Sequence, residues 1–582
     1  FFFFFFFQSP TSIDIYQNRA RKTTSFVTCT VKTFIYSVYF SSYLWIIIFC
    51  SLHGRSVIIP FVFRYNSKVY KDIQVVVCQW DSARRTVSTS FDKTSVKNMS
   101  RGPVFWGIFG MVGAIIGVVF AVGIPFLVSF IVDQQLRLQP GTIMYKFWET
   151  SPVPMYIRFY MYNVTNSDDV LNLQVKPIVE EIGPFTYTEV HERVNVERYD
   201  NFTLKFQQKR YWQYVEEMSN GSLEDPITTL NVPLLSAAYT IRFKPQFIKA
   251  GFNAFIRKTN TEIFVTKTVN ELLFAGYSDP LLNFSQLIPP GYLDIPPGYD
   301  KFGWFYKRNG SETYDGVFNI FTGVDDISKL DVMDMWNYTR KTEYYESYCG
   351  MVNGSFGEGW PPRRERTSIE MYSTDLCRSI TLDYTQDVSK KGVTFYRFAG
   401  TERMFASAQE NPDNWCFWSG DVFNLSGVSN SSTCRYGAPA FVSFPHYYLA
   451  DSFLQNQVEG LNPQKELHEF HVDLEPRTAV PLQVAARFQI NILLESIKGI
   501  SILKNVRQVY MPVMWFGVSA DLTDSLLGWI HFTLIGPYIG SFCFFLLFVA
   551  SMVVVAKSGI KYAKMKRIQP KNEVTITEDS DK

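Results

Sequence analysis

Two long apolar segments, one near each end of the 582-residue sequence, constrain this chain more than any other feature. Residues 102–132 contain no charged side chain, and residues 525–556 are interrupted only by His531. About 20 apolar residues are enough to cross the hydrocarbon core of a bilayer as a helix. A backbone in lipid must also satisfy its own hydrogen bonds, which favours helices. The sequence therefore predicts transmembrane helices over residues 104–132 and 525–556.

Basic residues flank both segments on the sides that lead to the chain ends. Lys97 and Arg101 precede the first segment, and a basic cluster follows the second: Lys557, Lys561, Lys564, Lys566 and Arg567. Lysine and arginine stay on the cytoplasmic side of a membrane. We therefore expect a two-pass protein with both termini cytoplasmic. In this topology 99–103 is a short cytoplasmic N-terminus, 133–524 is the outer domain and 557–582 is a cytoplasmic tail.

Residues 1–98 differ in composition from the rest of the chain. They contain no methionine, no glutamate and one glycine, and the first methionine is Met99. Average usage would supply several of each in such a length. We interpret 1–98 as translation of upstream non-coding sequence or as a disordered extension, with Met99 as the start. The alternative is a genuine extension in which the apolar run 34–52 forms a third span.

The predicted outer domain is rich in N-glycosylation sequons, which is typical of chain that enters the secretory lumen. The predicted sites are Asn163, Asn201, Asn220, Asn283, Asn309, Asn337, Asn353, Asn424 and Asn430.

The second half of this domain contains four cysteines: Cys349, Cys377, Cys416 and Cys434. An even number on the oxidising side of a membrane suggests two disulfide bridges, for which three connectivities are open. The cysteines are spaced too widely for a CxxC metal motif, so we expect no metal site.

Alternation of apolar and polar residues predicts β-strands at 156–162, 185–190 and 489–494. Between residues 234 and 273 the spacing becomes that of short amphipathic helices, and Pro245 should end the first of them. The apolar positions in this region are Phe243, Phe247, Phe252, Phe255 and Ile256.

The same region is rich in positive charge. No Asp or Glu occurs between residues 226 and 261, whereas five basic residues do: Arg242, Lys244, Lys249, Arg257 and Lys258. A cationic, aromatic-rich surface suits an amphiphile with an anionic head or a negatively charged particle. The alternative is an ordinary solvated helix face.

Motifs for catalysis are missing from the sequence, which contains no GxSxG, P-loop or HExxH pattern. His468 and His471 are one residue too close for the zinc motif, and we interpret them as part of a polar strand or loop. The net charge of +2 gives no bulk attraction for nucleic acid. We therefore expect neither an enzyme nor a nucleic-acid-binding protein, and no cofactor.

Several strings resemble the class B scavenger receptor family, which includes fatty-acid translocase, scavenger receptor class B and lysosomal integral membrane protein branches. The resemblance extends from about residue 99 to residue 556. It is carried by EIGPFTY (181–187), ELLFAGYSDP (271–280), DLCRSI (375–380), ENPDNWC (410–416), FPH (444–446) and GLNP (460–463).

This resemblance implies an α+β fold, in which two transmembrane helices flank an outer domain with an antiparallel β-barrel-like core. It also implies a lipid tunnel and an apical helical bundle at about 234–273. Lipids, fatty acids, sterols or lipoproteins are the implied ligands, with Lys258 at the ligand entrance. The implied disulfide pairing joins Cys349 to Cys416 and Cys377 to Cys434.

Each span contains two glycines four residues apart, Gly113 with Gly117 and Gly536 with Gly540. Such pairs let helices approach closely, so we expect packing of the spans on each other or between copies in a homo-oligomer. The alternative is the ordinary glycine content of membrane helices.

The tail 557–582 shows no dileucine-type signal of the lysosomal branch, which favours the plasma membrane. The leading hypothesis is a cell-surface scavenger receptor that mediates lipid uptake. The alternatives are a phagocytic or adhesion receptor without transport and a lysosomal trafficking receptor.

Overall fold

The computed structural model describes residues 34–40, 43–52, 55–64, 94–151, 153–286, 299–417 and 425–568, with side chains from Gly102 onward. The chain divides into two units, Phe1–Met99 and Ser100–Lys582. In the first unit, β1 (Phe34–Phe40), β2 (Tyr43–Leu52) and β3 (Arg55–Arg64) form an antiparallel sheet. The apolar run 34–52 therefore forms strands in this structure rather than a third helical span. Whether 1–98 belongs to the native protein stays a prediction.

The described helices differ greatly in length. They are α1 (Thr94–Leu136), α2 (Ile143–Glu149), α3 (Ser167–Asn172), α4 (Val232–Thr240), α5 (Gln246–Thr259), α6 (Pro280–Ser285), α7 (Ser452–Gln455), α8 (Lys465–His468) and α9 (Asp524–Ile568). Two of them, α1 and α9, are long and apolar enough to cross a membrane, over Gly102–Leu136 and Asp524–Arg567.

Strands make up most of the remaining regular structure. Those of the second unit are β4 (Met155–Val164), β5 (Val179–Arg198), β6 (Thr203–Tyr214), β7 (Pro226–Leu230), β8 (Phe264–Thr268), β9 (Val317–Phe321), β10 (Met333–Trp336), β11 (Ser368–Ser373), β12 (Arg378–Lys390), β13 (Val393–Ala399), β14 (Ser429–Asn430), β15 (Ala440–Ser443), β16 (His471–Leu474), β17 (Pro481–Leu494) and β18 (Val509–Asp521). The strands predicted at 156–162, 185–190 and 489–494 are confirmed within β4, β5 and β17.

One large antiparallel sheet organises the outer domain. Its main path runs β10-β9-β6-β5-β4-β18-β17-β16-β13-β12-β11, and β15, which pairs with β14, also pairs with β17. β7 and β8 form a separate two-stranded sheet. The mixture of helices with a nearly closed sheet, flanked by two apolar terminal helices, confirms the predicted α+β class.

A short segment around Ser355 joins the two edges of the large sheet. The Gly354 carbonyl accepts from the Met333 N–H of β10 at 2.9 Å. On the other side, the Ser355 N–H donates to the Glu370 carbonyl of β11 at 2.9 Å, and the Tyr372 N–H donates to Ser355. Closure removes the unpaired edges that an open sheet would present to other chains.

The two long helices pack against each other through small residues. A Cβ built on Gly113 would lie 2.5 Å from Ser551 Oγ, and one built on Gly117 would lie 2.7 Å from the backbone nitrogen of Phe548. The first glycine motif is therefore used for contact between α1 and α9 within one chain. In the second motif, a Cβ built on Gly540 would lie 3.5 Å from Ile124 Cδ1 across the same interface. Packing between copies stays a prediction.

Both helices enter the outer domain without a linker. Leu136 at the end of α1 is buried in the same cluster as Leu138, Trp148 and Phe206. At the other end, Leu527 of α9 is buried in a cluster with Phe395 of β13. Each span is thus continuous with a part of the apolar core of the domain.

We predict that Gly354→Ala will lower the stability of the outer domain by about 2–3 kcal/mol. Gly354 has φ +85, and a Cβ there would lie 2.5–2.6 Å from the backbone of Glu370 and Met371. Thermal unfolding of the purified chain measures the effect. Gly251→Ala is the matched control, because its Cβ would meet nothing within 4 Å. Equal melting temperatures for both variants would show that closure does not depend on Gly354.

For the spans, we predict that Gly117→Ala lowers the apparent melting temperature in detergent. The added methyl group overpacks the interface, which should lower the free energy of unfolding by about 1–3 kcal/mol. Gly123→Ala on the same helix should have little effect, since a Cβ there meets nothing within 4 Å. If the two variants have the same melting temperature, the contact between α1 and α9 does not involve Gly117.

Candidate functional site

Helices α4 and α5 lie in the region that the sequence predicts as an apical helical bundle. Asn231 is the N-cap of α4, and its side chain accepts from the Leu234 N–H at 3.1 Å. Pro245 precedes α5 and separates the two helices. Asn260 follows α5 as its C-cap and adopts a left-handed conformation with φ 48. The predicted range 234–273 also contains the strand β8, so it is not helical throughout.

The buried face of α5 rests on the domain core and on the loop after β17. Ile256 is buried, and Phe252 and Phe255 pack against the same cluster. The Asn253 side chain holds the loop from both sides: its Nδ2 donates to the Gly499 carbonyl at 2.8 Å, and its Oδ1 accepts from the Ser501 N–H at 2.8 Å. These contacts fix which residues of α5 point to solvent.

Three of the five predicted basic residues, Lys244, Arg257 and Lys258, are exposed at this end of the domain. The structure gives none of the three a side-chain partner among its described residues. Arg257 and Lys258 occupy the last turn of α5, where positive charge also complements the helix dipole.

The other two basic residues are held by the protein itself. Arg242 is half-buried; its Nη1 donates to the Tyr239 carbonyl at 2.7 Å, and its guanidinium lies 3.6 Å from the centroid of the Tyr239 ring. Lys249 was predicted to be part of the binding patch, and that prediction is wrong. Its side chain is buried, and its Nζ donates to the Lys498 carbonyl at 2.8 Å, so it anchors the loop instead of facing a ligand.

Two aromatic residues that the sequence grouped with the apolar helix positions point away from the core. Phe243 is 72% exposed and Phe247 is 73% exposed. They lie on either side of Lys244 in the sequence, and Ile248 beside Phe247 is also exposed. We call this set, Phe243, Lys244, Phe247, Arg257 and Lys258, the apical surface. It combines apolar rings with positive charge and contains no acidic residue.

The glycosylation sites differ in accessibility. Seven of the predicted asparagines are exposed or half-buried: Asn163, Asn201, Asn220, Asn283, Asn309, Asn337 and Asn353. Asn424 lies outside the described residues. Asn430 is 2% exposed, and its Oδ1 accepts from the Ser432 N–H at 2.9 Å. The folded domain leaves no room for a glycan there, so the prediction for Asn430 is wrong.

The four cysteines form Cys349–Cys416 and Cys377–Cys434. This is the pairing that the resemblance implied, and it was one of the three that the sequence alone left open. The first bridge is buried with Tyr345, and the second lies in the cluster that also receives Leu136 from the first span.

A polar cluster combines the exposed carboxylate of Glu181 with the buried rings of His446, His468 and Trp515, and sequence reasoning did not identify it. Glu181 of β5 accepts from His446 Nε2 at 2.6 Å and from Trp515 Nε1 at 2.6 Å. The His446 ring stacks on His468, with 4.4 Å between ring centroids. The cluster joins β5, β18 and the chain between β15 and β16. Two of its members lie in the EIGPFTY and FPH strings, which were the only signal in the sequence.

The pKa values of Glu181 and His468 are both lowered, but the causes differ. Burial would raise the pKa of Glu181, but the hydrogen bonds from His446 and Trp515 outweigh it and hold the pKa below its usual value. Burial lowers the pKa of His468 to about 4, and the neighbouring His446 adds to that effect. The Nδ1 of His468 accepts from the Gln464 N–H at 2.9 Å, which a protonated ring could not do.

A third histidine has the opposite environment. His191 of β5 lies between two carboxylates, with Glu189 at 2.8 Å and Glu358 at 2.7 Å. Burial alone would lower the pKa of His191, but the charge of Glu358 and the bond to Glu189 raise it above the usual histidine value. Arg193 also pairs with Glu358. This network is on the sheet rather than at the apical surface.

A pocket of about 320 Å³ lies where the pairing of β5 with β6 is irregular, between Val194 and Glu197. Its lining includes Glu197 and Lys205, whose charged atoms are 2.8 Å apart. An ion pair in the wall does not suit an acyl chain, so this pocket is not the implied lipid tunnel. The tunnel stays a prediction.

Comparison with known proteins gives consistent matches. A sequence model of the CD36 family matches residues 106–562. Protein peste of Drosophila melanogaster is 37% identical over 385 residues, which cover 66% of this chain and 68% of the relative. Scavenger receptor class B member 1 of Mus musculus is 34% identical over 418 residues, or 72% and 80% of the two chains. Lysosome membrane protein 2 of Rattus norvegicus is 32% identical over 394 residues, or 67% and 79%.

The contrast between His468 and His191 predicts opposite effects of pH. A histidine whose pKa is depressed by folding stabilises the fold fully above pH 6.5, and this stabilisation is lost as the pH falls toward about 4. A histidine whose pKa is raised stabilises the fold fully below pH 6.5 and loses that effect as the pH rises.

We therefore expect His468→Gln to reduce the loss of stability between pH 7.5 and pH 5 by on the order of 1 kcal/mol, after allowance for solvent screening. His191→Gln should increase that loss, because it removes a charge that stabilises the acidic form. Thermal unfolding at the two pH values, for both variants and the parent, measures the difference. A change of the same sign in both variants would contradict the assignment.

Proposed function

The chain belongs to the CD36 family, and on that premise we propose that it is a cell-surface scavenger receptor that takes up lipid. The family consists of scavenger receptors without enzymatic activity, and this member is a two-pass membrane protein. In the proposal, the apical surface captures a lipid or a lipid-bearing particle. Lipid then passes through the outer domain to the membrane, and both termini lie in the cytoplasm.

The observation that carries the proposal is the composition of the apical surface. Phe243 and Phe247 expose most of their rings, although burying such side chains is worth about 2 kcal/mol or more each. Lys244 separates them in the chain, and Arg257 and Lys258 lie on the same helix as Phe247. Anionic head groups would bind the ammonium and guanidinium groups of these basic residues. The phenyl rings would insert between the upper parts of the acyl chains.

The same features favour lipid over a protein ligand of ordinary polarity. Exposed aromatic residues beside basic residues are typical of surfaces that lie in a membrane interface. A particle coated with anionic phospholipid and a free fatty acid share this mixed chemistry. The proposal therefore names the class of ligand and not a single compound.

Passage of lipid through the domain is supported by the resemblance and by the placement of the spans. Both helices are continuous with the apolar clusters of the outer domain. Lipid that leaves the domain near α1 and α9 would arrive directly at the outer leaflet. Uptake of labelled cholesteryl ester or fatty acid by cells that express the chain tests this step.

Expression should raise uptake above that of cells without the chain at matched surface levels. Particle binding without a gain in lipid uptake would favour a recognition receptor that does not transport. A chain found only in internal compartments would favour a lysosomal trafficking receptor.

For the apical surface, we predict that the double substitution Arg257→Glu and Lys258→Glu weakens binding of anionic phospholipid particles by roughly tenfold, since two favourable charges become repulsive. Phe247→Ser should weaken binding of anionic and neutral particles alike, also by roughly tenfold. Particle binding at matched surface expression is the measurement.

Lys341→Glu is the control for charge, because Lys341 is exposed and lies outside α4 and α5. Binding unchanged by both apical variants would mean that this end of the domain is an ordinary solvated surface. Equal loss in the control would mean that overall charge, not the apical surface, controls binding.

A further inference from the structure

The end of the outer domain opposite the apical surface, which we call the base, can be defined by strand ends and ion pairs. β18 ends at Asp521, just before α9 begins at Asp524. The turn between β12 and β13 lies at the same end of the domain as the start of α9, because Lys391 Nζ is 2.7 Å from Asp524 Oδ1. Residues 361–367 reach the other span, since Arg363 pairs with Asp133 of α1.

Backbone hydrogen bonds connect these parts of the base. The Arg363 N–H donates to the Arg477 carbonyl at 3.1 Å, and the Arg364 N–H donates to the Pro476 carbonyl at 2.6 Å. Residues 476 and 477 form the turn between β16 and β17, next to the start of β17 at Pro481. The base is therefore one connected surface that surrounds the points where the spans leave the domain.

Basic and acidic residues lie side by side on this surface. Its basic residues are Arg137, Arg363, Arg364, Arg366, Lys390, Lys391 and Arg477. Three are paired, Arg363 with Asp133, Arg366 with Asp387 and Lys391 with Asp524. The Glu475 carboxylate accepts from the backbone of its own turn, and Glu365 and Asp521 are exposed acids at the edge.

The three unpaired arginines of this surface, Arg137, Arg364 and Arg477, are all half-buried. The Nε atoms of Arg137 and Arg364 are inaccessible to solvent and have no hydrogen-bond partner among the described residues, and no ion pair reaches either guanidinium there. Other arginines with a buried, unbonded Nε, such as Arg193 and Arg308, do pair with a carboxylate through another nitrogen. Burial is therefore confined to the Nε atoms, and the Nη atoms of Arg137 and Arg364 stay open to an acceptor that comes from outside the chain.

Exposed apolar residues lie beside this charge. α2 follows α1 after a short turn, and its Trp148 is buried in the cluster that contains Leu136. On the same helix, Ile143 is 53% exposed and Phe147 is 40% exposed. These two residues are one helical turn apart, so they share a face.

We propose that the base binds the phosphate groups of outer-leaflet phospholipids. Arg137 and Arg364 donate to phosphate oxygens, which a guanidinium contacts with two N–H groups at once. Lys390 adds charge at the edge, and Ile143 and Phe147 lie among the head groups and upper acyl chains. The surface is continuous with the two spans, which places it against the same membrane.

This site is separate from the apical surface and does not rest on the proposed receptor function. It would make the bilayer itself a ligand of the outer domain, held by specific side chains in addition to the spans. The chemistry requires only a phosphate diester, so zwitterionic phosphatidylcholine is sufficient as a probe.

Hydrogen exchange of the full chain in two kinds of nanodisc tests the proposal on the unaltered protein. One kind contains phosphatidylcholine, and the other contains a phosphate-free galactolipid of matched chain length. We expect backbone exchange in 137–149 and 361–367 to be about fivefold slower with phosphatidylcholine. Equal exchange in the two bilayers would overturn the proposal. Equal protection by inorganic phosphate in detergent would also overturn it, because the site would then take a free anion.

A second experiment counts phospholipids that stay bound to the detergent-extracted chain by native mass spectrometry. Arg137→Gln and Arg364→Gln should each weaken retention of phosphatidylcholine about fivefold. Lys504→Gln removes one charge from the loop beside α5 and should retain phospholipid as the parent does. Parent-level retention in both arginine variants would contradict the proposal, and the nanodisc comparison decides the matter if either variant fails to fold.

Discussion

Closure of the large sheet through Gly354 and Ser355 is the constraint on which the rest of the outer domain depends. Without it, β10 and β11 would be edge strands with unpaired backbone groups. The segment fits only because residue 354 has no side chain, as the backbone of β11 lies within 2.6 Å of where a Cβ would be. One residue type at one position thus allows a long series of hairpins to become a closed structure with two distinct ends.

The two ends of that closed sheet carry different chemistry. At one end, the helices α4 and α5 present rings and positive charge to solvent. At the other, the spans enter directly into apolar clusters, and half-buried arginines surround the entry points. The cluster of Glu181, His446 and His468 ties the chain after β15 to β5 and β18. A lipid ligand would therefore meet a surface suited to head groups at both ends of its proposed route.

Local patterns in the sequence predicted those parts of the structure that depend on local periodicity. The spans, the strands in β4, β5 and β17, and the helix break near Pro245 follow from residue spacing and backbone sterics. The positions of individual side chains did not follow. Lys249 and Lys258 look alike in sequence, but only the structure shows that a carbonyl from residue 498 lies beside the first. Phe243 and Phe252 differ in the same way, because burial depends on which loop packs beneath α5. Asn430 satisfies the sequon rule and is nevertheless buried by contacts from distant segments.

The connection of the spans to two neighbouring strands has a mechanical consequence: α9 follows β18 almost at once, and α1 leads to β4 through α2. β4 and β18 are hydrogen-bonded to each other, and both lead to the membrane at their base ends. A particle pulled away from the cell while bound at the apex would load these strands along their length. Because both strands are anchored at the same end, such a pull is divided between two covalent connections to the bilayer. The two spans therefore act as a double tether, in which neither helix alone bears the force on the outer domain.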